Sequence, residues 1–133
     1  MRRAPLALGL VVLAAGCGGG DDEVAAPACP PAAAELAEAP ELPPRFPTPG
    51  GVTYTGAREA GPSTIVEGFH DASLENAFES YKEAFERAGY DVTNEEQERL
   101  DAEVNFAGGG TDGQVKLQVC ADRTDVSITI RPL

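Results

Sequence analysis

The chain is a small acidic protein of 133 residues, with 22 acidic and 10 basic residues and a formal net charge of −12. This length allows one domain. The acidity argues against nucleic acid as a partner, because the phosphates would repel it. The same charge argues against a domain that lies flat on anionic lipid.

The N-terminus has the three zones of an export signal. Arg2 and Arg3 make a basic start, an apolar run covers residues 6–15, and Gly16 and Cys17 close the segment. The run is far shorter than the roughly twenty apolar residues that a membrane-spanning helix needs. A basic start, a short apolar stretch and small residues at its end are typical of a secretory signal peptide.

The stretch LAAGC, residues 13–17, resembles the lipobox of bacterial lipoproteins. The resemblance implies cleavage before Cys17, transfer of a diacylglycerol group to its thiol, and anchoring on the extracytoplasmic side of the cell membrane. Ala14 stands where that family most often has leucine, as a tolerated variant. Two or three acyl chains suffice for stable attachment, where one is marginal. The alternative is a conventional signal peptide cut nearby, which leaves a secreted protein with a free thiol.

Residues 17–50 are predicted to form a disordered linker rich in Pro, Gly and Ala. Eight prolines lie between residues 27 and 49, and proline removes backbone donors and favours extended conformations. The predicted organisation is therefore a signal peptide over 1–16, a lipidated cysteine with its linker over 17–50, and a small domain over 51–133.

Two cysteines remain once Cys17 carries lipid. Cys29 lies in the linker, and Cys120 lies in a predicted strand. Because an exported protein meets conditions that permit disulfides, we predict that these two pair and fasten half of the linker to the domain. A closed loop of about ninety residues would stabilise the fold by about 4 kcal/mol in the chain-entropy model. The alternative is two unpaired thiols.

The C-terminal part of the sequence alternates between strand and helix patterns. Two β-rich runs, 51–57 and 63–69, flank a turn-forming segment. Residues 74–88 carry apolar side chains at steps of three and four, which predicts an amphipathic helix. Ser73 is a natural N-cap, and Gly89 is well placed to end the helix in a left-handed turn.

Three further strands are predicted in 99–106, 115–120 and 126–131, where apolar and polar residues alternate. A period of two predicts one buried face and one wet face. The predicted fold is α+β in two layers, an antiparallel sheet of order ββαβββ with the amphipathic helix packed on one face.

The predicted core joins the helix to the inward side chains of the last three strands. The inward face of 63–69 stays undecided, because Ile65 and Phe69 compete with Val66. Cys120 is expected on the face opposite the core, where a linker can cross. The predicted core consists of Leu74, Phe78, Tyr81, Phe85, Leu100, Val104, Phe106, Val115, Leu117, Val119, Val126, Ile128 and Ile130.

The stretch from residue 46 to residue 93 is similar to a domain of small, uncharacterised lipoproteins from high-GC Gram-positive (actinobacterial) bacteria. The matching features are a Pro49–Gly50 entry, a hairpin, the helix motif YKE at 81–83, and the AGY ending at 88–90. These are packing and capping residues, so the resemblance implies a fold and no particular activity.

No catalytic, cofactor or metal motif stands out, and we predict that the chain is not an enzyme and needs no cofactor or metal. Its one histidine, His70, is followed by Asp71 and is expected to be a surface or capping residue, because no nucleophile is placed to complete a triad. The segments 108–113 and 94–103 are predicted to be a hairpin loop and a solvated acidic face.

The leading hypothesis is a monomeric, membrane-anchored lipoprotein whose domain binds or scaffolds a protein partner at the cell envelope. A carrier of a small ligand, either a lipid or a metal ion, is the alternative, and an enzyme is the least favoured. A pocket between helix and sheet would favour the carrier, and a flat exposed face would favour the adaptor. The candidate contact residues on the polar sheet face are Arg99, Asp101, Glu103, Asn105, Lys116, Gln118, Thr129 and Arg131.

Overall fold

The computed structural model describes residues 25–31 and 33–133. The predicted signal peptide and lipidated Cys17 lie outside these residues. Within the described part of the chain, no helix is long and apolar enough to cross a membrane. The elements are β1 (Val52–Ala60), β2 (Ser63–His70), α1 (Leu74–Ala88), β3 (Asp91–Gln97), β4 (Asp101–Gly108), β5 (Thr111–Cys120) and β6 (Arg123–Pro132).

The strands form one antiparallel sheet in the order β1-β2-β6-β5-β4-β3, and α1 packs over β3, β4 and β5. The predicted α+β class, with a single antiparallel sheet and one helix, is confirmed. The strand count differs by one, because four strands follow the helix where three were predicted. The additional strand, β3, is an exposed edge whose sequence DVTNEEQ lacks alternating apolar residues, the signal by which strands are recognised.

The helix begins and ends where its capping residues predict. The Ser73 side chain accepts a hydrogen bond from the backbone N–H of Asn76 at 3.3 Å. Gly89 adopts a left-handed φ of 80° after the last turn, and its N–H donates to the Glu86 carbonyl at 3.1 Å. Glycine takes this φ at little cost, so the chain turns sharply from α1 into β3.

The alternation of side chains divides the sheet into an inner face under the helix and an outer face away from it. All predicted core residues are buried on the inner face except Leu100 and Val119, which are partly exposed. The undecided phase of β2 is settled by Val66, which is fully buried on the inner face. Ile65 and Phe69 therefore belong to the outer face.

Residues 36–46 pack on the domain, where the sequence predicted an unpacked linker. The ring of Phe46 lies edge-on to Phe85, Tyr90 and Phe106, at centroid distances of 5.5, 5.8 and 5.3 Å respectively. Leu42 packs against the same core. Residues around position 46 are thus part of the inner layer, because the helix alone does not cover the sheet.

This segment reaches the inner face by passing around the edge strand β1. The backbone N–H of Leu36 donates to the Tyr54 carbonyl of β1 at 2.9 Å. Further along, the Tyr90 hydroxyl donates to the carbonyl of Pro44 at 3.0 Å. Proline suits such a path because it has no N–H that would need a partner.

Replacing Phe46 with alanine should lower the free energy of unfolding by about 2–3 kcal/mol, because the change removes a ring packed against three others. Urea denaturation of the purified domain measures the effect. Glu38→Ala, at an exposed position of the same segment, is the matched control and should change stability by less than about 0.5 kcal/mol. Equal midpoints for Phe46→Ala and the wild type would show that the segment is not packed.

Candidate functional site

A groove of about 350 Å³ lies on the outer face of the sheet, over β2, β6 and β5. Its floor carries a row of side chains that run straight across three neighbouring strands. Lys116 of β5 is opposite Ser127 of β6, which is in turn opposite Glu67 of β2. The groove therefore presents a cation, a hydroxyl and an anion in line.

A second row lies one step along the strands. Gln118 is opposite Asp125, and Asp125 is opposite Phe69. The Phe69 ring gives the floor its main apolar surface, and the guanidinium of Arg123 lies over that ring at 5.4 Å from the centroid. The two rows make the groove polar and mixed in charge.

The roof of the groove is formed by Pro30, Pro31 and Ala33. They belong to a segment, residues 29–31 and 33–36, which we call the strap. Its start is attached to the sheet by a disulfide between Cys29 and Cys120, the pair predicted from the sequence. Their Cα atoms are 4.7 Å apart, within the range that disulfides require. Cys120 alternates in phase with Lys116 and Gln118, so the link lies on the outer face, as expected.

Arg123 supports the strap from below. Its Nη2 donates to the Pro30 carbonyl at 3.1 Å, and its Nε donates to Asp125 Oδ1 at 2.7 Å. Only 18% of the Arg123 side chain is exposed. The guanidinium is thus fixed between the strap, a carboxylate and the Phe69 ring, and it is not free to bind a ligand through those donors.

Two of the predicted contact residues, Lys116 and Gln118, line the groove. Glu103 stands beside it, with its carboxylate 3.9 Å from the Lys116 ammonium. Asp101 is opposite Gln118 on β4. Asn105 and Thr129 are on the same outer face but outside the groove lining.

The two predicted arginines are not part of the groove. Arg131 pairs with Asp112 at 3.2 Å near the other end of β6. Arg99 is exposed in the turn between β3 and β4. Sequence reasoning missed Glu67 and Phe69, because the phase of β2 was undecided. It also missed Arg123, which precedes the predicted strand 126–131.

One set of side chains brings together atoms of the kind that bind metals. The sulfurs of Cys29 and Cys120 and a carboxylate oxygen of Asp122 lie within 4.8 Å of one another. The thiolate, rather than a disulfide sulfur, is the metal ligand that cysteine provides. This set could therefore bind a soft metal only after the disulfide is reduced.

A polar cluster under the helix has the distances of a Ser-His-Asp triad but the opposite hydrogen bonding. His70 Nε2 lies 3.3 Å from Ser80 Oγ, and its Nδ1 lies 3.4 Å from Asp71 Oδ1. However, Nδ1 accepts a hydrogen bond from the Ala72 N–H at 3.0 Å, so in the neutral ring Nε2 carries the proton. Ser80 then accepts from His70 and donates to the Ala77 carbonyl at 2.9 Å.

This wiring prevents His70 from acting as a general base toward Ser80. His70 is 3% exposed, so of the two expected roles, a surface residue or a capping residue, the first is wrong. It is buried because its ring ties the end of β2 to α1, and it accepts a backbone N–H just before the N-cap. The cluster therefore has a structural role, which is to hold the end of β2 against α1.

The three tyrosines of the chain all lie in or near the core. Burial raises the pKa of Tyr81 far above its usual range, and the neighbouring Tyr54 adds to the effect. Burial also raises the pKa of Tyr54, against a smaller opposing effect of its hydrogen bond with Thr48. Burial likewise raises the pKa of Tyr90. The Tyr81 hydroxyl has no hydrogen-bond partner among the described residues.

Because the folded-state pKa values are raised, the native protein keeps phenolic protons that the unfolded chain releases. Stability should be insensitive to these groups below about pH 10 and should fall above it, by at most about 1.4 kcal/mol per pH unit for each tyrosine. Tyrosinate absorbance followed against pH, together with circular dichroism, measures this. All three tyrosines should ionise together with unfolding, and a tyrosine that titrates freely near pH 10 in the folded state would contradict the burial.

Comparison of the chain with protein-family models, with curated proteins and with solved structures finds no match.

A second groove, of about 390 Å³, lies where residues 41–44 approach Ile130 and Pro132. Its walls are mostly proline and aliphatic side chains, and it offers few groups for recognition. The outer groove is therefore the candidate functional site.

Proposed function

We propose that the chain is a lipid-anchored extracytoplasmic lipoprotein whose domain binds an extended segment of an envelope protein in the outer groove. The mature protein acts as a monomeric adaptor and not as an enzyme. The observation that carries the binding proposal is the row Lys116–Ser127–Glu67 beneath a groove of about 350 Å³.

The anchor is supported by the order of residues at the N-terminus. The chain has the order of features that lipoprotein signals require, which is a basic start at Arg2 and Arg3, an apolar run, and then LAAGC. With a net charge of −12 over its full length, the chain has no overall attraction to anionic lipid. Acyl chains on Cys17 would therefore have to provide the attachment by themselves, which two or three chains can do.

The class of ligand follows from the groove lining. Neighbouring strands are about 4.8 Å apart, so Lys116 and Glu67, two strands apart, have backbones about 10 Å from each other. An extended peptide offers carbonyls, amides and side chains of both charges over such a distance, and Phe69 can take one apolar side chain. A lipid tail would meet too many polar groups, because burying them without hydrogen bonds is costly.

A small polar ligand is the second candidate. The volume of about 350 Å³ is at the lower end of small-molecule sites. Both candidates use the same side chains, but only the peptide would extend beyond the groove toward Glu103 on β4. Crosslinking to a protein separates the two.

Cys17→Ser should abolish lipidation. In the native host, the wild type should incorporate an alkyne-tagged fatty acid and partition into the detergent phase of a Triton X-114 extract, and the variant should do neither. Ala14→Leu, which restores the commonest residue of the lipobox, is the matched control and should mature normally. Membrane partitioning of Cys17→Ser at the wild-type level would contradict the anchor.

A photocrosslinking amino acid at Gln118 should give one discrete protein adduct in living cells, because this side chain lines the groove. The same probe at Glu83, on the exposed surface of the helix, is the control and should give none. Lys116→Ala should reduce the Gln118 adduct at least five-fold, the equivalent of about 1 kcal/mol. Equal adducts from both positions, or an adduct insensitive to Lys116→Ala, would count against the groove as the binding site.

A further inference from the structure

We infer that the Cys29–Cys120 disulfide is a reducible clasp that controls access to the outer groove. The inference rests on the proposed function, because it gives the regulation of the same site. The disulfide fixes the roof over the groove floor, and its reduction frees the roof while the domain stays folded.

The strap has few other attachments. Among the described residues, its hydrogen bonds to the domain are the one from Arg123 Nη2 to the Pro30 carbonyl and the one from the Leu36 N–H to the Tyr54 carbonyl. Pro31 and residues 33–35 are exposed. A single solvent-accessible hydrogen bond at Pro30 contributes too little to hold the segment in place against its conformational entropy. The covalent link is therefore what keeps the roof closed.

The fold does not need the strap in order to keep its core. The core lies on the inner face, and Phe46 and Leu42 pack there beyond the point where the chain passes β1. The Tyr90–Pro44 hydrogen bond holds this later part independently. Releasing the part of the strap before Leu36 thus opens the outer face and leaves the inner layer unchanged.

The two sulfurs differ in access, and this sets the direction of attack. Cys120 is 3% exposed, whereas Cys29 is partly exposed. A thiolate of a dithiol reductant attacks Cys29 Sγ and forms a mixed disulfide, and Cys120 leaves as a thiolate that takes up a proton. The second thiol of the reductant then displaces Cys29, which leaves as a thiol. The reductant becomes a disulfide, and two electrons pass to the cysteine pair.

A carboxylate stands next to the point of attack. Asp122 Oδ1 lies 3.1 Å from Cys29 Sγ, and Asp122 is exposed in the turn between β5 and β6. Its negative charge repels an anionic attacking thiol and favours one with a cationic group. A unit charge about 4 Å away in water changes the rate by about five-fold. This charge therefore favours a dithiol reductant that is neutral or basic around its reactive thiol.

Nuclear magnetic resonance of the soluble domain, from residue 25 onward, tests the opening. Reduction by dithiothreitol, with a chelator present to keep metals from the freed thiols, should shift the amide signals of Glu67, Gln118 and Ser127. The helix signals of Phe78 and Phe85 should stay in place. Cys29→Ser combined with Cys120→Ser should reproduce the reduced spectrum. Loss of the helix signals would make the disulfide a general staple, and unchanged groove signals would mean that the roof stays closed; either result overturns the inference.

The charge effect is tested by reduction kinetics. Cysteamine, which is cationic, should reduce the wild type faster than mercaptoethanesulfonate does, and Asp122→Asn should lower the ratio of the two rates by about five-fold or more, since both rates shift. Glu98→Gln, which removes an exposed charge elsewhere, is the matched control and should leave the ratio unchanged. A ratio unaffected by Asp122→Asn would refute the role of that carboxylate.

Crosslinking at Gln118 distinguishes a failure of the clasp from a failure of the proposed function. The adduct should rise at least five-fold in the double serine variant. An adduct of equal strength in the wild type and the double variant overturns the clasp and leaves the binding site standing. Shifted groove signals without any adduct in either protein support the clasp and refute the binding function.

Discussion

The alternation of side chains along β4, β5 and β6 separates the domain into two faces, and its other features depend on this separation. Most alternate residues of these strands are apolar and buried on the inner face, so the residues between them lie on the outer face. The inner face carries the stability of the fold. The outer face, free of that task, carries charges, hydroxyls and the disulfide.

The helix is too short to complete the inner layer by itself. It packs mainly over β3, β4 and β5, although Ser80 and Tyr81 also reach His70 at the end of β2. The segment around Leu42 and Phe46 adds to the cover of the inner face, and the chain passes the open edge of β1 at Leu36 before it reaches that face. One stretch of chain therefore roofs the groove, protects an edge strand that could pair with other chains, and fills the core.

Periodic segments were predictable from the sequence, and isolated contacts were not. The bounds of α1 and the buried faces of β4 to β6 followed from steps of three to four and of two, because many residues repeat the same signal. Phe46 gave no such signal, since it is a single aromatic residue among prolines, and its packing depends on rings brought together from three distant parts of the chain. The edge strand β3 was missed because an exposed strand has no apolar face to reveal it.

For the same reason, only part of the groove lining could be predicted from the sequence. Lys116 and Gln118 lie on a strand whose outward phase was plain, whereas Glu67 and Phe69 lie on β2, where apolar residues occupy both phases. Arg123 begins β6 directly after a two-residue turn, and turn residues carry no period. The pairing of Cys29 with Cys120, in contrast, could be predicted from the number of cysteines, because only these two remain once Cys17 is assigned to the lipid.

If the chain is anchored as proposed, the disulfide also sets the geometry of the domain at the membrane. With lipid on Cys17, the eleven residues between it and Cys29 would span at most about 35 Å, and the anchor point lies at the end of the sheet where β5 turns into β6. That end would face the bilayer, and the Gly109–Gly110 turn would point away from it. With the disulfide reduced, the chain between Cys17 and the domain would extend to Leu36 at the β1 edge, and its maximum span would increase to about 55 Å. The domain could then lie farther from the membrane and in a different orientation. Reduction of one disulfide would thus change the distance from the membrane at which the domain can meet a partner.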